Sequence, residues 1–158
     1  ELKAKTYLIQ FQIIFFLNER IFKYFFFINT TALHLAAKNN NTEIIKLLLS
    51  QQGIEIGMHA FKDCKKLTKI EIPSSVTEIG FGSFSGCSSL TEIAVPSSVT
   101  EIEYCAFQNC SSLKQISIPS SVVAIGNNAF ENCSLLTEIT IHSKVEKIND
   151  CLFKGCTS

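Results

Sequence analysis

From Ile56 onward the apolar positions recur every 23 residues, with an isoleucine opening each unit at 56, 79, 102, 125 and 148. Inside each unit a Leu-x-x-Ile-x-Ile frame alternates apolar with polar positions, as a half-buried strand does. The frames are Leu67, Ile70 and Ile72; Leu90, Ile93 and Val95; Leu113, Ile116 and Ile118; and Leu136, Ile139 and Ile141. Pro73, Pro96 and Pro119 close three of these strands, since proline brings no N–H to a ladder, whereas His142 breaks that column. Ser-Ser-Val follows as a turn and a return segment, and Gly57, Gly80 and Gly126 fit a tight bend. Phe61, Phe84, Phe107, Phe130 and Phe153 then sit in a short helical turn, their rings stacked as a spine inside the coil. A period in the twenties marks a solenoid. One such unit cannot bury its apolar face alone, so copies stack, and the product is an extended surface rather than a pocket. Binding therefore ranks ahead of catalysis.

Upstream the pattern changes twice. Residues 31–55 read as a helix pair: Thr31 caps a first helix through Ala37, three Asn make a turn, and Asn41 or Thr42 caps a second. Ile44, Ile45, Leu47, Leu48 and Leu49 are expected to face a neighbour. Residues 1–30 are Phe-rich and apolar, yet Tyr7–Leu17 contains Gln10 and Gln12 and is followed by Asn18-Glu19-Arg20. A spanning helix needs about 20 apolar residues. A buried or interfacial helix is the better expectation for this segment, with membrane association left open. Ile21–Phe26 repeats the pattern of Ile44–Leu49, two apolar, one Lys, three apolar, which gives it the look of a degenerate unit of the same kind. The chain opens on Glu1, and its fifth repeat carries Phe153 and Cys156 without the strand that should follow. It reads as four full copies plus a truncated fifth, a piece of something longer.

Composition narrows the function classes. Lys and Arg number 14, as do Asp and Glu, and the two signs alternate through the repeats. No strong field exists to draw in nucleic acid. Of seven cysteines, Cys64, Cys87, Cys110, Cys133 and Cys156 fall in one column. Side chains in one column point the same way instead of at each other, so packed thiols are expected in preference to disulfides. His59, Cys105 and Cys151 share another column, but His59 and Cys105 stand two turns apart, as do Cys105 and Cys151, roughly 10 Å in each case and too far for one tetrahedral zinc. No phosphate-cradling glycine loop, His-Glu-x-x-His or Gly-x-Ser-x-Gly occurs. No catalytic group, cofactor, metal or small-molecule substrate is expected. Asn29, Asn40, Asn109 and Asn132 open glycosylation sequons that matter only in a secreted chain.

Two resemblances complete the reading. Thr31-Ala32-Leu33-His34-Leu35-Ala36-Ala37 resembles the Thr-Pro-Leu-His-x-Ala-Ala motif of an ankyrin repeat, with Ala32 in place of the usual proline. In that motif His34 would be a buried, turn-stabilising imidazole. Leu-Thr-Glu-Ile-x-x-Pro-Ser-Ser-Val-Thr-Glu-Ile-Gly-x-x-x-Phe-x-x-Cys, over residues 56–158, resembles the BspA-like class of leucine-rich repeats. The fold class implied is α+β: a right-handed leucine-rich-repeat β-solenoid with parallel strands on a concave face, preceded by an ankyrin-like helical segment. The resemblance further implies a non-enzymatic surface adhesin or antigen, secreted or at the cell surface, that binds host or extracellular matrix proteins such as fibronectin. An intracellular, cytoplasmic ankyrin and leucine-rich-repeat scaffold is the alternative. In either case the candidate partner-binding residues are the outward strand positions Lys69, Glu71, Glu92, Ala94, Gln115, Ser117, Glu138 and Thr140. Their mixed charge suits a polar protein partner.

Overall fold

The computed structural model describes residues 31–50, 55–142, 145, 148 and 151–157. The apolar segment 1–30, and the readings made for it, lie outside those residues. Seven short strands follow in chain order: β1 (Lys69–Glu71), β2 (Glu78–Ile79), β3 (Glu92–Ala94), β4 (Glu101–Ile102), β5 (Gln115–Ile118), β6 (Ala124–Ile125) and β7 (Glu138–Ile141). They form two parallel sheets, β1-β3-β5-β7 and β2-β4-β6. Each residue pairs with its counterpart one repeat away, as in Ile70↔Ile93, Ile93↔Ile116 and Ile116↔Ile139. A one-residue slip would turn every buried isoleucine outward, so the period fixes the register.

Turn chemistry sets the corners. The Pro73, Pro96 and Pro119 carbonyls accept the amide N–H groups of Val76, Val99 and Val122 at 3.0 to 3.1 Å, closing a Pro-Ser-Ser-Val turn at the end of each strand. Ser98 and Ser121 donate through their hydroxyls to the Val76 and Val99 carbonyls of the previous coil, at 2.6 and 2.7 Å. The polar turn residues thus tie consecutive coils together as the strands do.

The Phe segment is a run of turns, not the short helix expected from sequence. Its cause is a pair of left-handed residues per coil: His59, Gly82, Cys105 and Asn128 in one column, and Asp63, Gly86, Asn109, Asn132 and Gly155 in the other. A left-handed residue cannot propagate a right-handed helix, and Gly and Asn adopt it most easily. The column of Gly57, Gly80 and Gly126 is therefore not where the chain needs positive φ. Gly80 is required by close approach, since a Cβ there would stand 2.8 Å from the Ile56 carbonyl oxygen and 2.9 Å from the Gly57 carbonyl carbon.

Inside the coil, Phe61, Phe84, Phe107 and Phe130 are fully buried and stack on one another and on Phe153, with ring centroids 4.9 to 5.7 Å apart and planes within 12°. Beside them runs the cysteine column. The thiols of Cys87, Cys110, Cys133 and Cys156 donate to the carbonyls of Phe61, Phe84, Phe107 and Phe130 at 3.0 to 3.2 Å. Each of these cysteines is free. Phe61, Phe84, Phe107 and Phe130 each use their carbonyl twice, because the amide of the cysteine three residues on bonds it as well.

Among the described residues two short helices precede the first coil: α1 (31–38) and α2 (Thr42–Leu49). Asn41 caps α2, its side-chain oxygen accepting the Ile44 N–H at 3.1 Å. Leu33, Ala36, Ala37, Ile45 and Leu49 join the same core as the coil. Of the five α2 residues expected to face a neighbour, Ile45 and Leu49 are buried and Leu48 packs partly, whereas Ile44 and Leu47 are exposed. His34 is half-buried and hydrogen-bonds to the Ala60 main chain of the first coil; burial lowers its pKa.

Candidate partner-binding face

The outward positions of β1, β3, β5 and β7 form two ladders. Lys69, Glu92, Gln115 and Glu138 stand in register along one, and Glu71, Ala94, Ser117 and Thr140 along the other. All eight line a single open trough of about 560 Å³, with Ile70, Ile93 and Ile116 at its floor. The strands place them together because the two-residue alternation sends each isoleucine down and each neighbour up. Beyond Glu71 the second ladder carries the short side chains of Ala94, Ser117 and Thr140.

Charge in the trough is partly compensated. The Lys69 ammonium pairs with the Glu92 carboxylate, and that hydrogen bond holds its pKa above the ordinary lysine value. Both groups are exposed, so the pair orders the rim more than it stabilises the fold. Glu71 and Glu138 leave the trough slightly acidic. At its N-terminal end the floor continues into a smaller hollow of about 230 Å³, where Lys69, Ile70 and Glu71 meet Thr42, Glu43, Ile45 and Lys46 of α2. That wall was not among the expected site residues. Its only sequence signal is the polar pair Glu43 and Lys46 between the apolar positions of α2.

The buried thiols of the cysteine column are not reactive groups. Burial pushes Cys87 and Cys133 from the usual 9.0 up to about 12, and Cys64 to about 11. A thiol so shifted is protonated near neutrality and is a poor nucleophile. His59 lies edge-to-face on Phe81, with ring centroids 5.2 Å apart. Among the described residues no three His, Cys, Asp or Glu side chains converge as a metal site would require.

The second sheet differs. Its outward ladder is Glu78, Glu101 and Ala124, extended by Glu55 at the bridge beside β2. Burial and the neighbouring Glu103, Glu101 and Glu55 raise the Glu78 pKa.

Known proteins share this architecture. The family described as BspA type leucine rich repeat region matches residues 36–158 in six copies, reaching into the helix pair. A leucine-rich cell surface protein of Faecalibacterium prausnitzii is similar, with 43% identity and a TM-score of 0.54 over 56% of this chain and 23% of its own. A leucine-rich repeat protein of Eubacterium ventriosum shows 32% identity and a TM-score of 0.55 over 57% of this chain and 24% of its own. A leucine-rich repeat protein of T. pallidum shows 30% identity and a TM-score of 0.54, over 68% of this chain and 63% of its own. The match thus spans about a quarter of the first two structures and under two-thirds of the third. No curated protein matches the chain.

Proposed function

The chain belongs to the BspA-type leucine-rich repeat family, and on that footing we propose that it is a non-enzymatic protein-binding solenoid whose trough receives a protein partner. One observation carries the reading: the eight outward strand positions, spread over four coils, line one continuous surface. An extended segment laid along it would meet a polar ladder on one side and short side chains on the other. Solenoids use such surfaces for protein recognition.

We further infer that the partner is a host or matrix protein and that the chain works at a cell surface. The supporting fact is the similarity to a protein described as a leucine-rich cell surface protein. Among the described residues no helix is long and apolar enough to cross a membrane, so this reading needs no span within them. The second reading, an intracellular scaffold with an ankyrin-like first unit, draws on two observations. The helix pair packs into the same core as the first coil, and the cysteines are all free, as suits a reducing compartment.

Solid-phase binding to a panel of fibronectin, laminin and collagen tests the first reading. Wild-type protein should bind at least one member, and Ala94→Arg with Ser117→Arg, which fills the trough, should weaken it by about tenfold. Absence of binding, or binding that ignores the double variant, would sink it. Antibody labelling of intact against opened cells separates surface from scaffold.

A further inference from the structure

Met58, Phe81 and Tyr104 occupy one column of the repeat, one coil apart, and all three are exposed, at 61%, 39% and 51%. Backbone rungs hold that corner: the His59 amide donates to the Phe81 carbonyl at 3.0 Å, and the Gly82 amide to the Tyr104 carbonyl at 2.9 Å. Three large apolar side chains presented outward by a rigid frame are not a folding requirement, because the core already holds its own phenylalanine spine. Three residues before each of them stands a glutamate: Glu55 beside the second sheet, and Glu78 and Glu101 within it. Glu103, next to Tyr104, lies close enough to Glu78 to act on its charge. The salt bridges among the described residues are Lys69–Glu92 and Lys154–Glu131, so none compensates these carboxylates.

Both features stop at the same place. In the fourth coil the glutamate column reads Ala124 and the apolar column reads Asn127. Two independent columns that change together outline one surface, three coils long and about 10 Å from first to last. We propose that this acidic, aromatic-edged face is a second docking surface, distinct from the trough, and that its occupant is a basic protein segment presenting two or three Lys or Arg side chains between apolar ones. Cations pair with the glutamates and lie over the Phe81 and Tyr104 rings, while aliphatic stems cover Met58. A second copy of the same face would set glutamate against glutamate, and an anionic membrane would be repelled. Charge therefore selects the basic segment.

A fluorescein-labelled 12-residue peptide of alternating Arg and Leu probes the site by fluorescence anisotropy, with Arg–Ser and Glu–Leu peptides of equal length beside it. The wild-type chain should bind Arg–Leu about tenfold more tightly than either control. Glu78→Gln with Glu101→Gln should weaken binding by about fivefold and flatten its salt dependence. Phe81→Ser with Tyr104→Ser should weaken it by a similar factor. Ala94→Arg with Ser117→Arg, in the trough, should leave it unchanged. Circular dichroism should show all these exposed variants folded. Absence of Arg–Leu binding, or binding as tight as wild type by either face variant, overturns the proposal. So does loss on blocking the trough, which would make the peptide a trough ligand. A wild-type dimer dissolved by Phe81→Ser with Tyr104→Ser would assign the face to a second copy. Preferential uptake onto phosphatidylserine vesicles would assign it to a membrane.

Discussion

The two parallel sheets share a repeat, a register and a strand alternation, and yet they present opposite surfaces. The β1-β3-β5-β7 sheet carries a mixed ladder with one ion pair and a floor of isoleucine under short side chains. The β2-β4-β6 sheet carries a column of glutamates in no salt bridge among the described residues and leads directly to an exposed Met, Phe and Tyr. Interior columns barely vary: Phe fills all five copies of one and Cys all five of another. Packing fixes the inside, because a changed ring or thiol would open a gap in every contact above and below. Outward positions escape that constraint, so each sheet's face is free to diverge. Recognition belongs in the columns that vary.

The sharpest way to break the contrast is to damage the shared interior. Phe107→Ala removes a ring stacked on both sides and should cost about 3–5 kcal/mol, lowering urea midpoints and disabling both faces together. Loss of one face alone would mean that the sheets do not depend on a common spine.

Next in size is the thiol column. Cys133 ionises near 9.0 when unfolded and at about 12 when folded, so its neutral form adds stability that is intact below pH 9 and lost as pH climbs toward 12. Urea unfolding followed from pH 8 to pH 11 should show falling stability, and Cys133→Ala should remove part of that slope. At pH 8, iodoacetamide should label exposed Cys151 well before Cys87, Cys110 or Cys133.

Ser83 offers a gain. It is fully buried, its hydroxyl has no hydrogen-bond partner, and its column reads Ala60, Ala106 and Ala129 in other coils. Ser83→Ala should stabilise the chain by about 1 kcal/mol, read as a raised thermal midpoint. The smallest effect sharpens the comparison itself. Glu78 has its pKa raised by burial and by like charges, so its ionised form weakens the folded state at neutral pH and the penalty fades as pH falls into the carboxylate range. Added salt should raise the wild-type melting temperature slightly, and Glu78→Gln should reduce that rise. Lys69→Met, which leaves Glu92 and Glu71 of the other sheet uncompensated, should enlarge the rise.

The strand frames, the Phe spine, the cysteine column and all eight trough residues were legible in the sequence, because a period of 23 makes burial repeat visibly. Other features were not. The left-handed corners hide because His59, Gly82, Cys105 and Asn128 share a conformation and no side-chain chemistry. The glycine column does open a turn, the Gly57, Gly80 and Gly126 carbonyls accepting the Ala60, Ser83 and Ala129 amides, but sequence cannot separate a glycine kept for φ from one kept for close approach. The thiol-to-carbonyl bonds between coils, with partners 26 residues apart, needed coordinates. The wall of α2 against the trough arises from tertiary packing, and the period says nothing of it. Ile44, Leu47 and Leu49 even keep the apolar spacing of the strand frame, yet the segment is helical from its Asn41 cap onward.

Photo-crosslinking from the trough tests its role as the partner-binding face most directly. A benzophenone-bearing amino acid placed at Gln115, in the middle of the trough, is compared with one at Thr100, exposed just ahead of β4, in the presence of the matrix protein captured by solid-phase binding. The expected result is a covalent product from position 115 that disappears when Ala94→Arg and Ser117→Arg are added. A product from position 100 alone, or none from 115, would contradict the trough as the partner-binding face.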